Sequence, residues 1–372
     1  MRFPSAPHFA GGRSRPDAQR PQPLAIVVPT DDPNDPRFLV PPGSGYDGVV
    51  RLEFPDDGIC TGALLRTGRH ILTAAHCFEA VQQTGIPNLF PSPDDVSVSF
   101  DLPTGSATLA AASVAIHPEW DNTENYNNDL AIIELVQLAP AQAERYALYR
   151  RRDEVGQMIT RVGYGVRGTG RTGEDPNDET TLKRLGMNRY DTLGDTLNEP
   201  PLEADILPGT QLVYDFDNGL RRNDALGVEY GLHDLGVIDQ MLAAGSLTLG
   251  ASEARYTLLS LEVGTSTGDS GGPSFIRGQI AGIASNGYSP DTPGVDVTAA
   301  NDTSFGEYFF DTRVSAYTDF IDAVLATTHR PSAQTLMLGG TWGLSSLPLL
   351  LAVVLASRHH VRRAIARCRQ TL

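Results

Sequence analysis

Short apolar runs broken by turn residues constrain this chain more than any other feature. Runs of strand composition stand at 49–54, 63–65, 70–74, 96–100, 108–116, 130–135, 158–164, 182–190, 211–215, 256–261, 274–284 and 307–311. The 37 glycines and 26 prolines lie largely between them. Proline cannot donate to a sheet ladder, and glycine supplies the backbone angles that tight turns need. Many short strands so punctuated make antiparallel barrels or a sandwich, and the composition opposes a helical bundle. One stretch departs from this: 314–325 has apolar residues near helical spacing and predicts a helix.

The chemistry-bearing residues fall into three strings. Ser270 sits in Gly268-Asp269-Ser270-Gly271-Gly272-Pro273. Glycines on both sides let backbone N–H groups turn toward a reacting carbonyl, while the same string alone also reads as a Gly-Pro turn. A serine hydroxyl becomes a nucleophile only when a base takes its proton and donors receive the oxyanion. His76 in Thr73-Ala74-Ala75-His76-Cys77 is the candidate base, and Asp129 in Asn128-Asp129-Leu130-Ala131 the candidate carboxylate. Taken singly, a histidine packed in a core and an aspartate capping a turn are the ordinary fates of such residues.

Together, in the order His76, Asp129, Ser270, the strings resemble the trypsin/chymotrypsin-like serine protease family over roughly 46–325. The resemblance implies two six-stranded antiparallel β-barrels of the chymotrypsin type, closed by a C-terminal helix at 314–325. His76 would act as base and then acid, Asp129 would orient it, and Ser270 would attack the scissile carbonyl. The N–H groups of Gly268 and Ser270 would form the oxyanion hole. The family pairs the cysteines at the positions of Cys60 and Cys77, which would brace the histidine loop; two free buried thiols are the alternative reading. Gly264 falls at the base of the primary specificity pocket, where a carboxylate would attract Lys or Arg, so trypsin-type preference is not expected. Ser285, Asn286 and Gly287 match the strand that pairs with substrate, and Gly287 and Gly306 would line the pocket walls. Family zymogens free a hydrophobic N-terminus that pairs with the acid before the nucleophile, here Asp269. Arg37-Phe38-Leu39-Val40 offers such a site, so cleavage after Arg37 is expected.

The 372 residues exceed one protease domain and divide into five parts. Residues 1–42, rich in Pro, Arg, Asp and Ser, read as a disordered leader or propeptide with no clear signal peptide; the protease domain follows at 43–329. A linker at 330–335 leads to 336–356, which holds no charged residue. At 1.5 Å per residue such a helix reaches about 30 Å, enough to cross a bilayer. A basic tail at 357–372 follows, with Arg358, Arg362, Arg363, Arg367 and Arg369. By the positive-inside tendency the tail is cytoplasmic and the protease domain extracytoplasmic, an oxidising place that suits a disulfide. A buried core helix or an amphipathic tail is the alternative. This layout resembles bacterial sorting tails of the PEP-CTERM kind, with Arg330-Pro331-Ser332-Ala333 where the Pro-Glu-Pro element would stand.

The net charge of −16 opposes nucleic-acid binding. Two stretches read as insertions, at 167–181 and 217–251. Asp215-Phe216-Asp217-Asn218-Gly219 hints at a calcium loop, but Gly219 and Leu226 fall where an EF-hand needs oxygen ligands, so an Asn-Gly turn is the reading. No metal and no cofactor is expected. The expected function is a membrane-anchored serine endopeptidase acting on proteins or peptides. A catalytically silent binding module of the same fold is the alternative. An esterase is disfavoured by the residue order and by the lack of a Gly-x-Ser-x-Gly elbow.

Overall fold

The computed structural model describes residues 26–55, 58–78, 92–175, 182–233 and 262–328. Six strands, β1 (Val49–Glu53), β2 (Ile59–Leu64), β3 (His70–Thr73), β4 (Ser97–Phe100), β5 (Ala107–Ile116) and β6 (Ala131–Leu135), close into a barrel. Their order is β1-β2-β3-β6-β5-β4, and every pairing is antiparallel. The side-chain period of two sends Val50, Leu52, Ile71, Val98, Phe100 and Ile133 into one buried cluster. A disulfide joins Cys60 on β2 to Cys77 just beyond β3, with Cα atoms 6.3 Å apart.

The second half contains β7 (Ala147–Leu148), β8 (Met158–Gly163), β9 (Gly168–Thr169), β10 (Gly173–Glu174), β11 (Arg184–Arg189), β12 (Thr192–Leu193), β13 (Gln211–Phe216), β14 (Pro273–Ile276), β15 (Gln279–Tyr288) and β16 (Glu307–Arg313). β9 and β10 pair with each other, in the first of the two expected insertions, and Val28 bridges to Thr169 on β9. The others make one curled eight-stranded sheet, in the order β11-β8-β14-β15-β16-β13-β12 with β7 alongside β15.

The expectation of two closed six-stranded barrels therefore holds for the first half only. Among the described residues the sheet does not close between β11 and β13, and the segment 262–264 lies between them. The Val263 N–H donates to Met187 O, and the Asn188 amide donates to Asp215 O and Val263 O at 2.9 and 3.0 Å.

The run expected at 274–284 is a hairpin, β14 then β15, turning at Arg277 and Gly278 with φ +51° and +74°. The helix expected over 314–325 begins as a 3-10 turn, Val314–Ala316, and continues as a helix over Thr318–Thr328. Its Ile321, with Tyr317, packs on Leu130 and Ile132, so it closes on the first barrel as well as the second sheet. The predicted strand at 256–261, the leader up to residue 25, the linker, the apolar run at 336–356 and the basic tail lie outside the described residues. Among the described residues no helix is long and apolar enough to cross a membrane.

Candidate active site

His76 is held from both sides in sequence. β3 delivers the buried pair Ala74-Ala75, and the chain then turns once as a 3-10 helix, His76–Phe78. Phe78 anchors the turn in the barrel core against Phe54, edge to face at 5.5 Å, and Cys77 bonds to Cys60. The imidazole is thereby presented at the barrel's edge with its side chain 8% exposed.

Asp129 precedes β6 and is wholly buried. Asn128 before it adopts φ +63° and is fixed by the Tyr317 hydroxyl (3.2 Å) and by Glu119 O (3.1 Å). The Asp129 carboxylate then receives three donors. His76 N donates to Oδ1 at 2.9 Å, His76 Nδ1 lies 2.7 Å from Oδ2, and Ser285 Oγ donates to Oδ2 at 2.6 Å. The Nδ1 contact fixes which ring nitrogen carries the proton and leaves Nε2 as the basic one.

Ser270 lies in a turn that the first barrel clamps. Thr61 on β2 donates its N–H to Ser270 O at 2.8 Å and its hydroxyl to Gly268 O at 2.8 Å. The disulfide sulfur of Cys77 stands 3.6 Å from Ser270 O. On the other side Gly271 N donates to Ala284 O, and Ala284 N to Gly272 O. Gly268 and Gly271 have φ +103° and +78°, angles that side chains oppose, and a Cβ on Gly271 would stand 2.0 Å from Thr73 Oγ1. The Gly268 and Ser270 N–H groups donate no hydrogen bond among the described residues. Ser270 Oγ is buried and likewise makes none.

The structure thus brings His76 to Asp129 by direct bonds, and brings the Ser270 backbone against the disulfide partner next to His76. Ser285, expected only as a substrate-pairing residue, spends its hydroxyl on Asp129. Asn286 and Gly287 continue the same strand, paired with Phe310 and Phe309 of β16. Gly264 is enclosed: a Cβ there would meet Thr303 Cγ2 at 2.6 Å and Phe216 Cδ1 at 2.8 Å. Gly306 is equally tight, with Val295 O at 2.1 Å from a Cβ. Sequence reasoning missed Thr61, Thr312, whose hydroxyl donates to Asp129 O at 2.8 Å, and Tyr126, whose ring meets the His76 ring edge to face at 5.6 Å. A threonine in a strand gives no local sign of what it clamps.

Asp269 is buried, and burial pushes its carboxyl up to about 7 against the opposing charge of Arg161. Oδ1 accepts from Gly165 N at 3.2 Å, while Oδ2 has no hydrogen-bond partner among the described residues. Glu174 on β10 is pushed up to about 7 as well, by burial, although Thr267 N, Thr267 Oγ1 and Thr303 Oγ1 all donate to it.

The segment expected to supply a new N-terminus lies elsewhere. Phe38 is buried in a small cluster with Ile26, Val28 and Val263, and Val40 N donates to Lys183 O. It is Val27 that pairs with Gly264, N–H to carbonyl in both directions at 3.1 and 3.2 Å. Val28 bonds in turn to Gly168 and Gly170. Among the described residues, the side chains grouped closely enough to share a metal ion are Asp215, Asp217 and Glu262, none of them part of this constellation.

Residues 41–207 match the trypsin family. The trypsin match covers the closed barrel with His76 and Asp129 and ends before Ser270. A venom serine protease of the wasp Polistes dominula is 32% identical over 86 residues. That alignment takes in 23% of this chain and spans 30% of the relative's length.

Proposed function

We propose that the chain is a trypsin-like serine endopeptidase working through His76, Asp129 and Ser270. The observation that carries this reading is the Asp129 carboxylate, buried and bonded to both His76 Nδ1 and the His76 backbone, together with the Gly268 and Ser270 N–H groups, which donate no hydrogen bond among the described residues. In the reaction His76 Nε2 takes the Ser270 proton as Oγ bonds to the substrate carbonyl carbon. The oxygen, now an oxyanion, accepts from the Gly268 and Ser270 N–H groups. The C–N bond then breaks, and the leaving amine takes the proton back from His76. Water, deprotonated by His76, hydrolyses the acyl ester and restores Ser270. Gly264, walled by Phe216 and Thr303, leaves no place for a carboxylate at the base of the pocket and favours neutral side chains.

The Ser270 hydroxyl makes no hydrogen bond, which favours an inactive state of the uncleaved chain, or the silent binding module. In our reading activation frees Ile26 rather than Phe38. Ile26-Val27-Val28 is apolar, buried and already paired with the loop that carries Asp269, whose Oδ2 would take the new ammonium group. The apolar run at 336–356 then anchors the enzyme, with the protease domain extracytoplasmic.

A fluorophosphonate probe is expected to label the activated wild type and not Ser270→Ala, and a peptide library to be cut with the same dependence. No Ser270-dependent labelling after activation would leave the binding module standing. Edman sequencing of active enzyme is expected to begin at Ile26. Recovery of the full chain in an alkaline-washed soluble fraction would overturn the anchor.

A further inference from the structure

The second sheet buries carboxylates that peptide hydrolysis does not use. Asp215 lies on β13, Asp217 just past its end, and Glu262 on the segment that lies between β11 and β13. Their carboxylate oxygens lie within 4.8 Å of one another, and the residues are 2%, 1% and 1% exposed. Both Glu262 oxygens are buried and hydrogen-bond to nothing among the described residues. Asp215 Oδ2 accepts from Leu226 N at 3.1 Å and Asp217 Oδ1 from Gly219 N at 2.5 Å.

The positive charge of Arg189 acts on Glu262 and on Asp191 alike. Arg189 is salt-bridged to Asp191 at 3.0 Å, and Asp191 also accepts from Asp215 N. Asp224 caps the short helix Ala225–Tyr230 through Gly227 N and meets His233 Nδ1 at 3.1 Å. Among the described residues five acids therefore gather around one guanidinium and one half-exposed imidazole. Buried carboxylates in such number are held by a cation or by protons. A proton satisfies one oxygen; an ion at the centre satisfies all three side chains at once.

The donor set selects the ion. All the side-chain donors are oxygen, which disfavours zinc. Oxygens within 4.8 Å of one another lie no farther apart than two calcium–oxygen bonds of about 2.3–2.6 Å reach, and two magnesium–oxygen bonds of about 2.0–2.1 Å fall short of that limit. Glu262, with both oxygens unpartnered, can bind bidentately, a mode calcium accepts and magnesium resists.

We propose that Asp215, Asp217 and Glu262 form a buried Ca²⁺ site that ties the end of β13 to the segment leading through Gly264 to Ser270. The EF-hand spacing fails because Glu262 comes from a remote part of the chain. The site stands independently of the protease reading, since its test reads no activity.

The full chain, stripped with EGTA, is titrated with CaCl₂ in a calorimeter and by thermal unfolding. One ion per chain is expected, with a dissociation constant of about 10⁻³ M or tighter and a midpoint that rises with calcium. Glu262→Gln is expected to lose that calcium-dependent rise. In EGTA the same variant should be at least as stable as wild type, because it removes a repelled charge. A merely structural glutamate gives no such crossover. Absence of heat and of any midpoint shift in the wild type would overturn the proposal, as would equal calcium binding by Glu262→Gln or tighter binding of MgCl₂. Should Glu262→Gln not fold, Asp217→Asn carries the same expectation, and the wild-type titration decides alone.

Discussion

The Asp129 carboxylate separates two kinds of support that one histidine receives. In Asp129→Asn the amide keeps one oxygen, which suits the His76 N–H at 2.9 Å. Its NH₂ then faces His76 Nδ1 and the Ser285 hydroxyl, where the wild type has an acceptor at 2.7 and 2.6 Å. Two donors cannot share that space, so the ring proton moves to Nε2 and His76 can no longer take the Ser270 proton. Holding a triad imidazole in the wrong tautomer lowers kcat about 10⁴-fold, or about 5.5 kcal/mol of transition-state stabilisation. Ser285→Ala leaves both histidine contacts and deletes one buried hydrogen bond to a charged group, about 1.5–3 kcal/mol. If all of that falls on the chemical step, kcat drops about 10- to 100-fold. The assay is steady-state hydrolysis of a neutral peptide ester and amide by activated enzyme, with active sites counted by probe titration. KM should move little in either variant, since the Ser285 hydroxyl and the Asp129 carboxylate are spent on each other and on His76. An Asp129→Asn enzyme within tenfold of wild type, or a Ser285→Ala loss larger than that of Asp129→Asn, would refute the reasoning.

Other perturbations test the frame around the site. Arg161 is buried between Asp311 (2.8 Å), Ser274 Oγ (2.6 Å) and the Tyr214 ring, so Arg161→Met should cost about 3–5 kcal/mol in urea unfolding, and Arg161→Met with Asp311→Leu much less than the two singles summed; additivity would refute the pairing. The Cys60–Cys77 bond spans a sequence separation of 17, worth about 3 kcal/mol in the chain-entropy account, so the double serine variant should unfold at correspondingly lower urea. Asp269, at about 7 in the uncleaved fold, keeps a proton that the unfolded chain releases near its ordinary value. The stability it contributes is therefore full below about pH 4 and is lost as pH rises toward 7. Between pH 5 and pH 8 the uncleaved wild type should lose more stability than Asp269→Asn, and an equal loss would show that Asp269 is ionised throughout.

The strands of the first barrel were legible as short apolar runs bounded by turn residues, as at 49–54, 70–74 and 130–135. The order of His76, Asp129 and Ser270 was equally open, since each sits in a string whose small neighbours have visible reasons. The failures share a cause. Arg277 takes φ +51° beside a single glycine, so the hairpin between β14 and β15 reads as one apolar run. Val263 and Glu262, which lie between β11 and β13, arrive from far along the chain, and no local pattern announces that placement. Asp215 and Asp217 were visible as acids, but their third partner was not.

Thr61 shows why the site needs both halves of the fold. One residue on β2 donates to Gly268 O and Ser270 O, and its hydroxyl also accepts from Tyr164 N of the second half at 3.1 Å. Its own carbonyl is held by Thr73 Oγ1, three residues before His76. The nucleophile turn and the histidine turn are therefore referenced to the same residue, and the Cys77 sulfur adds a direct contact between them, 3.6 Å from Ser270 O. That arrangement holds the backbone on both sides of Asp269, through Gly268 O and Ser270 O, while Ser270 Oγ makes no hydrogen bond among the described residues. Asp269, buried with one oxygen unpartnered, is the group in that loop with the most to gain from a new positive charge. On the proposed reading, activation is a local electrostatic event at Asp269, in a loop whose backbone the first barrel already holds.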